Sequence, residues 1–267
     1  MIAVGAVVAY YSISRYLASQ SPSSFSLART TQWAGYMVAS NLQNRQPVVS
    51  SIRASWTVPE VRASENDTES AAWIGIGGYG DKTLIQTGTD QQCVNGRASY
   101  FAWYELIPDH VVRILNMRIR PGDTITASIN LIDKAANTWL IAINDVTWGA
   151  SFKETFFYNS SRLSAEWIIE RPTVNGNIST LADFGSVTFS TCSATIENST
   201  GTVSSFPHNQ LVMYTSQDVQ LVTVSPLYSD GSGFTVNYSG SQVAVNQDTL
   251  SSKAVFSEKF LGRLVLG

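Results

Sequence analysis

The sequence is short of the side chains on which metal sites and nucleophilic enzymes most often depend. It has only two cysteines, Cys93 and Cys192, and only two histidines, His110 and His208. Zinc sites draw mainly on cysteine and histidine, so a zinc site of the usual kind is nearly excluded. Serine or cysteine catalysis with a histidine base has little support, because neither histidine stands in a recognisable motif. The two cysteines could form one disulfide or remain two buried thiols, and the sequence leaves both states open.

Charged side chains are also scarce. Only 14% of the 267 residues are charged, and the net charge is -3, whereas about a quarter of residues are charged in an average domain. Nucleic-acid binding needs basic patches, so we predict no nucleic-acid partner. Low charge together with 44% hydrophobic and 11% aromatic residues indicates an extracellular β protein with a sizeable core. The length fits one large β domain or two small ones.

An apolar run occurs at the amino terminus, where residues 1–13 contain a single polar side chain, Ser12, before Arg15 follows. The run is too short for a comfortable membrane span but suits the core of a signal peptide. We therefore predict that residues 1–19 are a signal peptide or an anchor, with residues 1–17 as the alternative membrane tether. Residues 20–31 are rich in serine and are predicted to be a linker or short propeptide. The predicted location is outside the cell.

From Gln32 onwards the sequence consists of short strand patterns separated by turns, with no long helical period. The predicted strands are residues 33–39, 50–58, 71–77, 83–90, 99–107, 111–119, 124–131, 139–144, 151–158, 165–170, 186–189, 210–214, 220–225 and 233–238. So many short strands at regular spacing indicate an all-β domain, an antiparallel sandwich or barrel. We assign it to residues 32–238. Residues 239–267 are a C-terminal extension whose pattern fits either a helix or one more strand.

The strand that ends at Glu170 carries a carboxylate where an apolar side chain would be expected. Read with period two, Glu166, Ile168 and Glu170 share one face, whereas Trp167 and its odd-numbered neighbours share the other. Pro172 ends the strand, because proline cannot donate to a continuing ladder. A buried carboxylate is costly unless a nearby group needs it, so Glu170 is a candidate functional residue.

Polar and aromatic side chains share single faces on other strands too. Gln86 and Asp90 lie on one face of their strand, and Trp103 and Glu105 lie on one face of the next. Trp73 begins a third segment that runs into three glycines, which we expect to leave room for the backbone of a ligand. Such a set predicts a groove on a sheet face. The glycines are Gly75, Gly77 and Gly78.

Six segments in order give the sequence a resemblance to the glutamic peptidases (eqolisins), which are secreted, acid-acting endopeptidases. The resemblance covers about residues 32–238 and implies a two-sheet antiparallel β-sandwich, similar to the concanavalin and jelly-roll folds, with a Gln/Glu catalytic dyad on one face. The segments are QWAGY (32–36), ASWTVP (54–59), AWIGI (72–76), LIQTG (84–88), AWYE (102–105) and AEWIIE (165–170).

The resemblance assigns the dyad to Gln86 and Glu170. It also implies that Trp73, Asp90, Trp103 and Glu105 surround the dyad, with Glu105 orienting the Gln86 amide. The family has aspartates at two positions where this chain has Gly77 and Phe101. We expect the loss of these two carboxylates to lower the local negative charge and the resulting upward push on the pKa of the catalytic glutamate. The resemblance implies polypeptide substrates, no metal and no cofactor, and we expect a monomer.

Two other functions remain open at this stage. A glycoside hydrolase could use Trp73 and Trp103 to stack on sugars, with Glu105 and Glu170 on neighbouring strands as a carboxylate pair. Retaining enzymes need such a pair ~5 Å apart, whereas Glu166 and Glu170 lie ~13 Å apart along their strand. A carbohydrate-binding module without catalytic activity is the other alternative, and in that case Glu170 would be incidental.

Overall fold

The computed structural model describes residues 25–240, and almost all regular structure in that range is β-strand. The only helical element between residues 25 and 240 is a 3-10 turn at Val203–Ser205, so no helix there is long and apolar enough to cross a bilayer. In chain order the strands are β1 (Phe25–Thr30), β2 (Trp33–Val38), β3 (Val49–Thr57), β4 (Thr68–Gly77), β5 (Leu84–Val94), β6 (Arg97–Ile107), β7 (Val112–Arg113), β8 (Thr124–Asp133), β9 (Thr138–Asp145), β10 (Ala150–Phe157), β11 (Ala165–Glu170), β12 (Thr173–Val174), β13 (Asn177–Ile178), β14 (Ser186–Ile196), β15 (Ser199–Thr202), β16 (His208–Met213), β17 (Val222–Val224) and β18 (Phe234–Tyr238).

The strands form two large sheets that pack face to face. The first sheet has the order β1-β16-β2-β11-β4-β5-β6-β7, and the second has the order β10-β9-β8-β3-β14-β18-β17, with β15 paired to β14. Strands β12 and β13 form a separate hairpin. Neighbouring strands are antiparallel throughout both sheets except for β1 and β16, which are parallel. The predicted two-sheet antiparallel sandwich is therefore confirmed.

The core lies between the sheets and is rich in tryptophan. Trp56 from β3, Trp139 from β9 and Trp167 from β11 are all at most 1% exposed. Each indole N–H has an acceptor: Thr89 Oγ1 at 3.0 Å, Tyr158 O at 3.0 Å and Arg53 O at 2.9 Å, respectively. A buried indole nitrogen without an acceptor would cost free energy, so these bonds let large rings fill the space between the sheets.

The first sheet buries apolar side chains on both of its faces. Alternation in β11 sends Trp167 into the core between the sheets and Ile168 to the opposite face, as the sequence pattern predicts. On that opposite face a second apolar cluster contains Trp33, Trp73, Trp103 and Ile168. We call this the outer face of the first sheet. It carries an apolar floor on which polar side chains can be held in fixed positions.

Several local predictions from the sequence are wrong. Residues 25–30 were assigned to a linker, but they form β1 and add to the edge of the first sheet beside β16. Only Val112–Arg113 of the predicted strand 111–119 pairs with a neighbour, because the chain then turns so that Ile114 and Met117 pack into the core. The short hairpins β12–β13 and β14–β15 were not predicted. The predicted segment 1–19, residues 20–24 of the linker and most of the extension (241–267) lie outside the described residues.

Candidate active site

A row of four side chains crosses the outer face of the first sheet. Glu170 of β11 is opposite Ala71 of β4, Ala71 is opposite Asp90 of β5, and Asp90 is opposite Phe101 of β6. Residues directly opposite one another in a sheet point to the same face. Ala71 is small and separates two carboxyl groups in this row, so Glu170 and Asp90 lie close enough for the charge of Glu170 to raise the pKa of Asp90.

A second row crosses the same four strands four residues away along them. It consists of Glu166, Gly75, Gln86 and Glu105. Together the two rows place Gln86 and four carboxyl groups on one face. The carboxyl groups are those of Asp90, Glu105, Glu166 and Glu170. The strand pairing, not local sequence, brings them together, since Gln86 and Glu170 are 84 residues apart in the chain.

The row between these two supplies the apolar floor. It contains Ile168, Trp73, Gly88 and Trp103. A Cβ atom at Gly88 would lie 2.6 Å from Cβ of Trp73, a separation that side chains do not adopt. Glycine at position 88 is thus what allows the bulky Trp73 side chain to occupy the centre of the site.

A small open cavity lies over these rows. Five of the six predicted site residues line it: Gln86, Asp90, Trp103, Glu105 and Glu170. The residues that sequence reasoning missed in its lining are Ala71, Phe101, Val111, Pro172 and Thr173. Pro172 and Thr173 come shortly after the end of β11. Ala71 and Phe101 share a row with Glu170, so period-two alternation on β4 and β6 could have identified these two residues.

Trp73, the sixth predicted residue, acts from beneath the cavity. It is fully buried and its indole Nε1 donates a hydrogen bond of 2.7 Å to Oε2 of Glu170. Its ring is held by an edge-to-face contact with Trp33, with centroids 5.0 Å apart. A hydrogen bond to an ionised acceptor is stronger than one between neutral groups, so Trp73 fixes the Glu170 carboxylate. Because Trp73 has no exposed surface, it cannot stack on a sugar, and this removes one of the two tryptophans from the glycosidase alternative.

Gln86 is held by Glu105. The side-chain Nε2 of Gln86 donates to Oε2 of Glu105 over 2.6 Å, as the resemblance implies. Glu105 is 5% exposed, and burial raises its pKa from 4.5 to about 7, with the Gln86 hydrogen bond opposing that rise. One of the two amide hydrogens of Gln86 is engaged in this way, which leaves the second for another acceptor.

Asp90 has a carboxyl neighbour that the sequence did not reveal. Glu69, on β4, is a diagonal neighbour of Asp90 across the β4–β5 pair and lies on the same face. The pKa of Asp90 is raised well above its ordinary value, first by burial and then by the charge of Glu69, while Arg113 opposes the rise. The predicted strand in this region began at residue 71, two residues short of Glu69, so its side chain was never placed on the outer face.

Glu166 is not part of the cavity lining. It is fully buried, and its pKa is raised well above the ordinary value by burial, with only partial opposition from the Ser164 hydroxyl and the charge of Arg45. The resemblance likewise assigns the dyad to Gln86 and Glu170 and not to Glu166, although Glu166 shares a face with Glu170.

The three glycines after Trp73 do not leave room for a ligand, and that prediction is wrong. A Cβ atom at Gly75 would lie 2.7 Å from Cδ1 of Leu84 and 2.8 Å from Cζ3 of Trp73. A Cβ atom at Gly78 would lie 3.1 Å from the Trp33 ring. The space beside these glycines is therefore filled by the protein itself, and the glycines serve the packing of the tryptophans below the cavity.

The two family positions without an aspartate have different surroundings. Gly77 has a φ of +88°, a conformation that favours glycine. Phe101 borders the cavity, with the Arg113 guanidinium carbon 4.5 Å from the centre of its ring. Glu69 supplies a further carboxyl group beside Asp90, on the face that carries Glu170.

The state of the two cysteines is also settled. Cys93 and Cys192 are both buried free thiols, and burial raises the pKa of Cys192. No disulfide therefore holds the residues between 25 and 240 together, and stability there depends on the packed core.

Comparison with known sequences identifies the family of the chain. Residues 31–238 match the sequence model of the peptidase A4 family. The chain belongs to the peptidase A4 family. A relative in this family, aspergillopepsin-2 from Aspergillus niger, is 33% identical over 174 residues, which are 63% of this chain and 59% of the relative. The matched part thus spans less than two thirds of aspergillopepsin-2.

Solved structures of peptidase A4 relatives share the fold. Scytalido-glutamic peptidase, solved with a transition-state analog inhibitor, has a TM-score of 0.66 at 22% identity, covering 78% of this chain and 98% of that one. Aspergilloglutamic peptidase from Aspergillus niger has a TM-score of 0.56 at 31% identity, covering 64% of this chain and 99% of that one. The resemblance to glutamic peptidases stated from six sequence segments is therefore confirmed.

Proposed function

We propose that this chain is an acid-acting endopeptidase that cleaves polypeptides with the dyad Gln86 and Glu170. The observation that carries the proposal is that both side chains line one cavity while each is held by a separate partner. Trp73 Nε1 donates to Glu170 over 2.7 Å, and Glu105 Oε2 accepts from Gln86 over 2.6 Å. Fixed groups of this kind stabilise a transition state without having to reorganise during the reaction.

Glu170 is proposed as the general base and acid. As a carboxylate it takes a proton from the water that attacks the scissile carbonyl, and it then returns that proton to the leaving nitrogen. Its Oε2 accepts the hydrogen bond from Trp73, which holds the carboxylate in the cavity lining. General acid–base catalysis of this type typically contributes ~10²-fold or more to a rate.

Gln86 is proposed as the donor to the oxyanion. Attack on an amide carbonyl places negative charge on its oxygen, and the amide hydrogen that Glu105 does not engage can donate to that charge. Removal of one such donor typically costs ~10²-fold or more in kcat. A glutamine side chain does not titrate, so acid leaves this donor intact.

Polypeptides are the proposed substrates. Scytalido-glutamic peptidase has been solved with a peptide-based transition-state analog, and SCP-B, a member of the eqolisin family, has been solved with the tripeptide Ala-Ile-His. In this chain Phe101, Trp103 and Val111 give the cavity an apolar wall, which suits apolar substrate side chains. We also propose export from the cell, for which the support is the apolar run at residues 1–13 and the low charge of the chain.

The test is digestion of denatured casein across the acidic range by the mature protein and two variants, Glu170→Gln and Gln86→Ala. We expect both to lose casein hydrolysis, because one lacks the base and the other lacks the oxyanion donor. The matched controls are the exposed residues in Glu154→Gln and Gln43→Ala, which should keep full activity. Intact casein after incubation with the folded wild-type protein at every acidic pH would overturn the proposal. Release of sugar from β-glucans would support the glycosidase alternative instead.

A further inference from the structure

Glu69 is buried at the edge of the site, and its backbone is fixed. It lies on β4 two residues before Ala71, so it shares the outer face with the row that contains Glu170 and Asp90. Its backbone N–H donates to Thr180 O at 2.9 Å, and its carbonyl oxygen accepts from Ala182 N at 3.0 Å. The side chain is 6% exposed, so its carboxyl group is held against the sheet rather than in solvent.

The contact between Glu69 and Asp90 requires a proton. Glu69 is opposite Gln92 and Asp90 is opposite Ala71, so the two buried carboxyl groups are diagonal neighbours on one face of β4 and β5, and two carboxylates have no hydrogen to share. Within residues 25–240, no N–H or O–H group donates to Glu69 Oε1 or to Asp90 Oδ1. Asp90 is only 2% exposed. A second negative charge here would therefore be both buried and without a donor, which is the most costly state of a carboxyl pair.

The charges that face this pair favour retention of the proton. Burial is the largest influence on both carboxyl groups, and for Asp90 the negative charge of Glu170 acts in the same direction, while only Arg113 opposes it. The Arg113 guanidinium lies over the ring of Phe101. Phe101 is directly opposite Asp90 on the neighbouring strand.

The remaining neighbours of Glu69 do not bring a free charge to the pair. Gln92 is directly opposite Glu69, but its amide donates to Ser99 Oγ at 2.9 Å. In the adjoining segment, Asp183 is paired with Arg62 at 3.3 Å. The pair therefore titrates under the influence of Glu170 and Arg113.

We propose that Glu69 is a positioning residue of the active site, which shares one proton with Asp90 and so keeps the charge of that pair at one beside the catalytic Glu170. The inference rests on the proposed peptidase function. The shared proton fixes the Asp90 carboxyl group at the cavity wall. Loss of that proton at higher pH leaves two adjacent carboxylates that repel each other and add negative charge near the oxyanion, so activity falls on the alkaline side.

The first experiment compares kcat/KM for casein-derived fluorogenic peptides against pH for the wild type, Glu69→Gln, Glu69→Ala and the control Glu154→Gln. In Glu69→Gln the amide N–H replaces the shared proton and cannot be lost. The limiting alkaline slope of log kcat/KM should therefore become one proton shallower. Glu69→Ala should lower kcat/KM by about tenfold or more at acidic pH, and Glu69→Gln should restore most of that loss. Glu154→Gln should match the wild type.

The second experiment detects the proton without any need for activity. Infrared spectroscopy reports the carbonyl stretch of protonated carboxyl groups, and ordinary carboxyl groups are ionised above about pH 5. Above that pH the double variant Glu69→Gln/Asp90→Asn should show one protonated carboxyl group fewer than the wild type. If the wild type does not cleave peptides, the proposed function fails, but this measurement still decides whether the proton is shared.

Three results would overturn the proposal. One is an infrared amplitude that is equal in the wild type and the double variant. Another is an unchanged alkaline slope in Glu69→Gln. The last is complete loss of activity in folded Glu69→Gln at every pH, since this would mean that the Glu69 carboxyl group itself is required. Should the Glu69 variants fail to fold, Asp90→Asn alone should also show one protonated carboxyl group fewer than the wild type.

Discussion

Replacement of Glu105 by glutamine should remove a defined part of the pH dependence of stability. Burial raises the pKa of Glu105 in the folded protein from 4.5 to about 7. The folded protein therefore binds this proton more tightly than the unfolded chain does. The stability that Glu105 contributes is complete below about pH 4.5, and it is lost as the pH rises towards about 7.

The size of this effect follows from the two pKa values. A difference of about 2.5 pH units between the folded and unfolded states, at 1.36 kcal/mol per unit, corresponds to about 3 kcal/mol. Glu105 is 5% exposed, so solvent screening reduces this figure little. In Glu105→Gln the amide can still bond to Gln86 but does not titrate. The free energy of unfolding of this variant should therefore not include the loss that Glu105 causes as the pH rises.

The assay is urea denaturation at a series of pH values from about 4 to about 8 for the wild type, Glu105→Gln and the exposed control Glu154→Gln. The free energy of unfolding of the wild type, minus that of Glu105→Gln, should fall by about 3 kcal/mol across this range. Glu154→Gln should follow the wild type. A difference between wild type and Glu105→Gln that stays constant with pH, or that grows in favour of the wild type as pH rises, would refute the reasoning.

Three further predictions concern the floor of the site and the thiols. Trp73→Phe keeps a buried ring but removes the donor to Glu170, so kcat/KM should fall by about ten- to a hundredfold, the equivalent of about 1.5–3 kcal/mol for a charged hydrogen bond. Trp33→Phe is the control, since the indole nitrogen of Trp33 has no acceptor within residues 25–240. An equal loss of kcat/KM in both variants would contradict the role of the hydrogen bond. Gly88→Ala should destabilise the protein by about 1–3 kcal/mol through overpacking, measured as a lower Tm, and an unchanged Tm would show that the strands can separate there. A thiol reagent should modify Cys93 and Cys192 only after unfolding, and rapid reaction of either in the native protein would contradict their burial.

The parts of the fold that were predicted from sequence are those in which a local pattern determines the structure. Period-two alternation correctly assigned Trp167 to the core and Ile168 to the outer face, because a half-buried strand must separate its two faces. The same reasoning placed Gln86 with Asp90 and Trp103 with Glu105. The strand order could not be obtained in this way, and the resemblance to a known family was needed to join these strands to β11.

The errors occurred where pairing is decided by distant residues. Residues 25–30 look like a polar linker, and they form β1 only because β16, about 180 residues later, offers a free edge. The apolar run 111–119 satisfies its buried side chains through a turn after Val112–Arg113 rather than through a ladder. Glu69 was missed for a related reason. A charged residue at the start of a strand is normally solvated, and the pattern gives no sign that Asp90 lies beside it.

The positions of the carboxyl groups support the proposed action of this sheet face in acid. Glu105, Glu166 and the pair of Glu69 with Asp90 are all buried, and burial raises the pKa of each. Each therefore favours the protonated form, so a fall in pH relieves charge in the site instead of unfolding it. The proposed donor to the oxyanion, Gln86, has no proton to gain in this range. The same burial that would make this arrangement costly at neutral pH is thus what allows a site so rich in carboxyl groups to remain folded in acid.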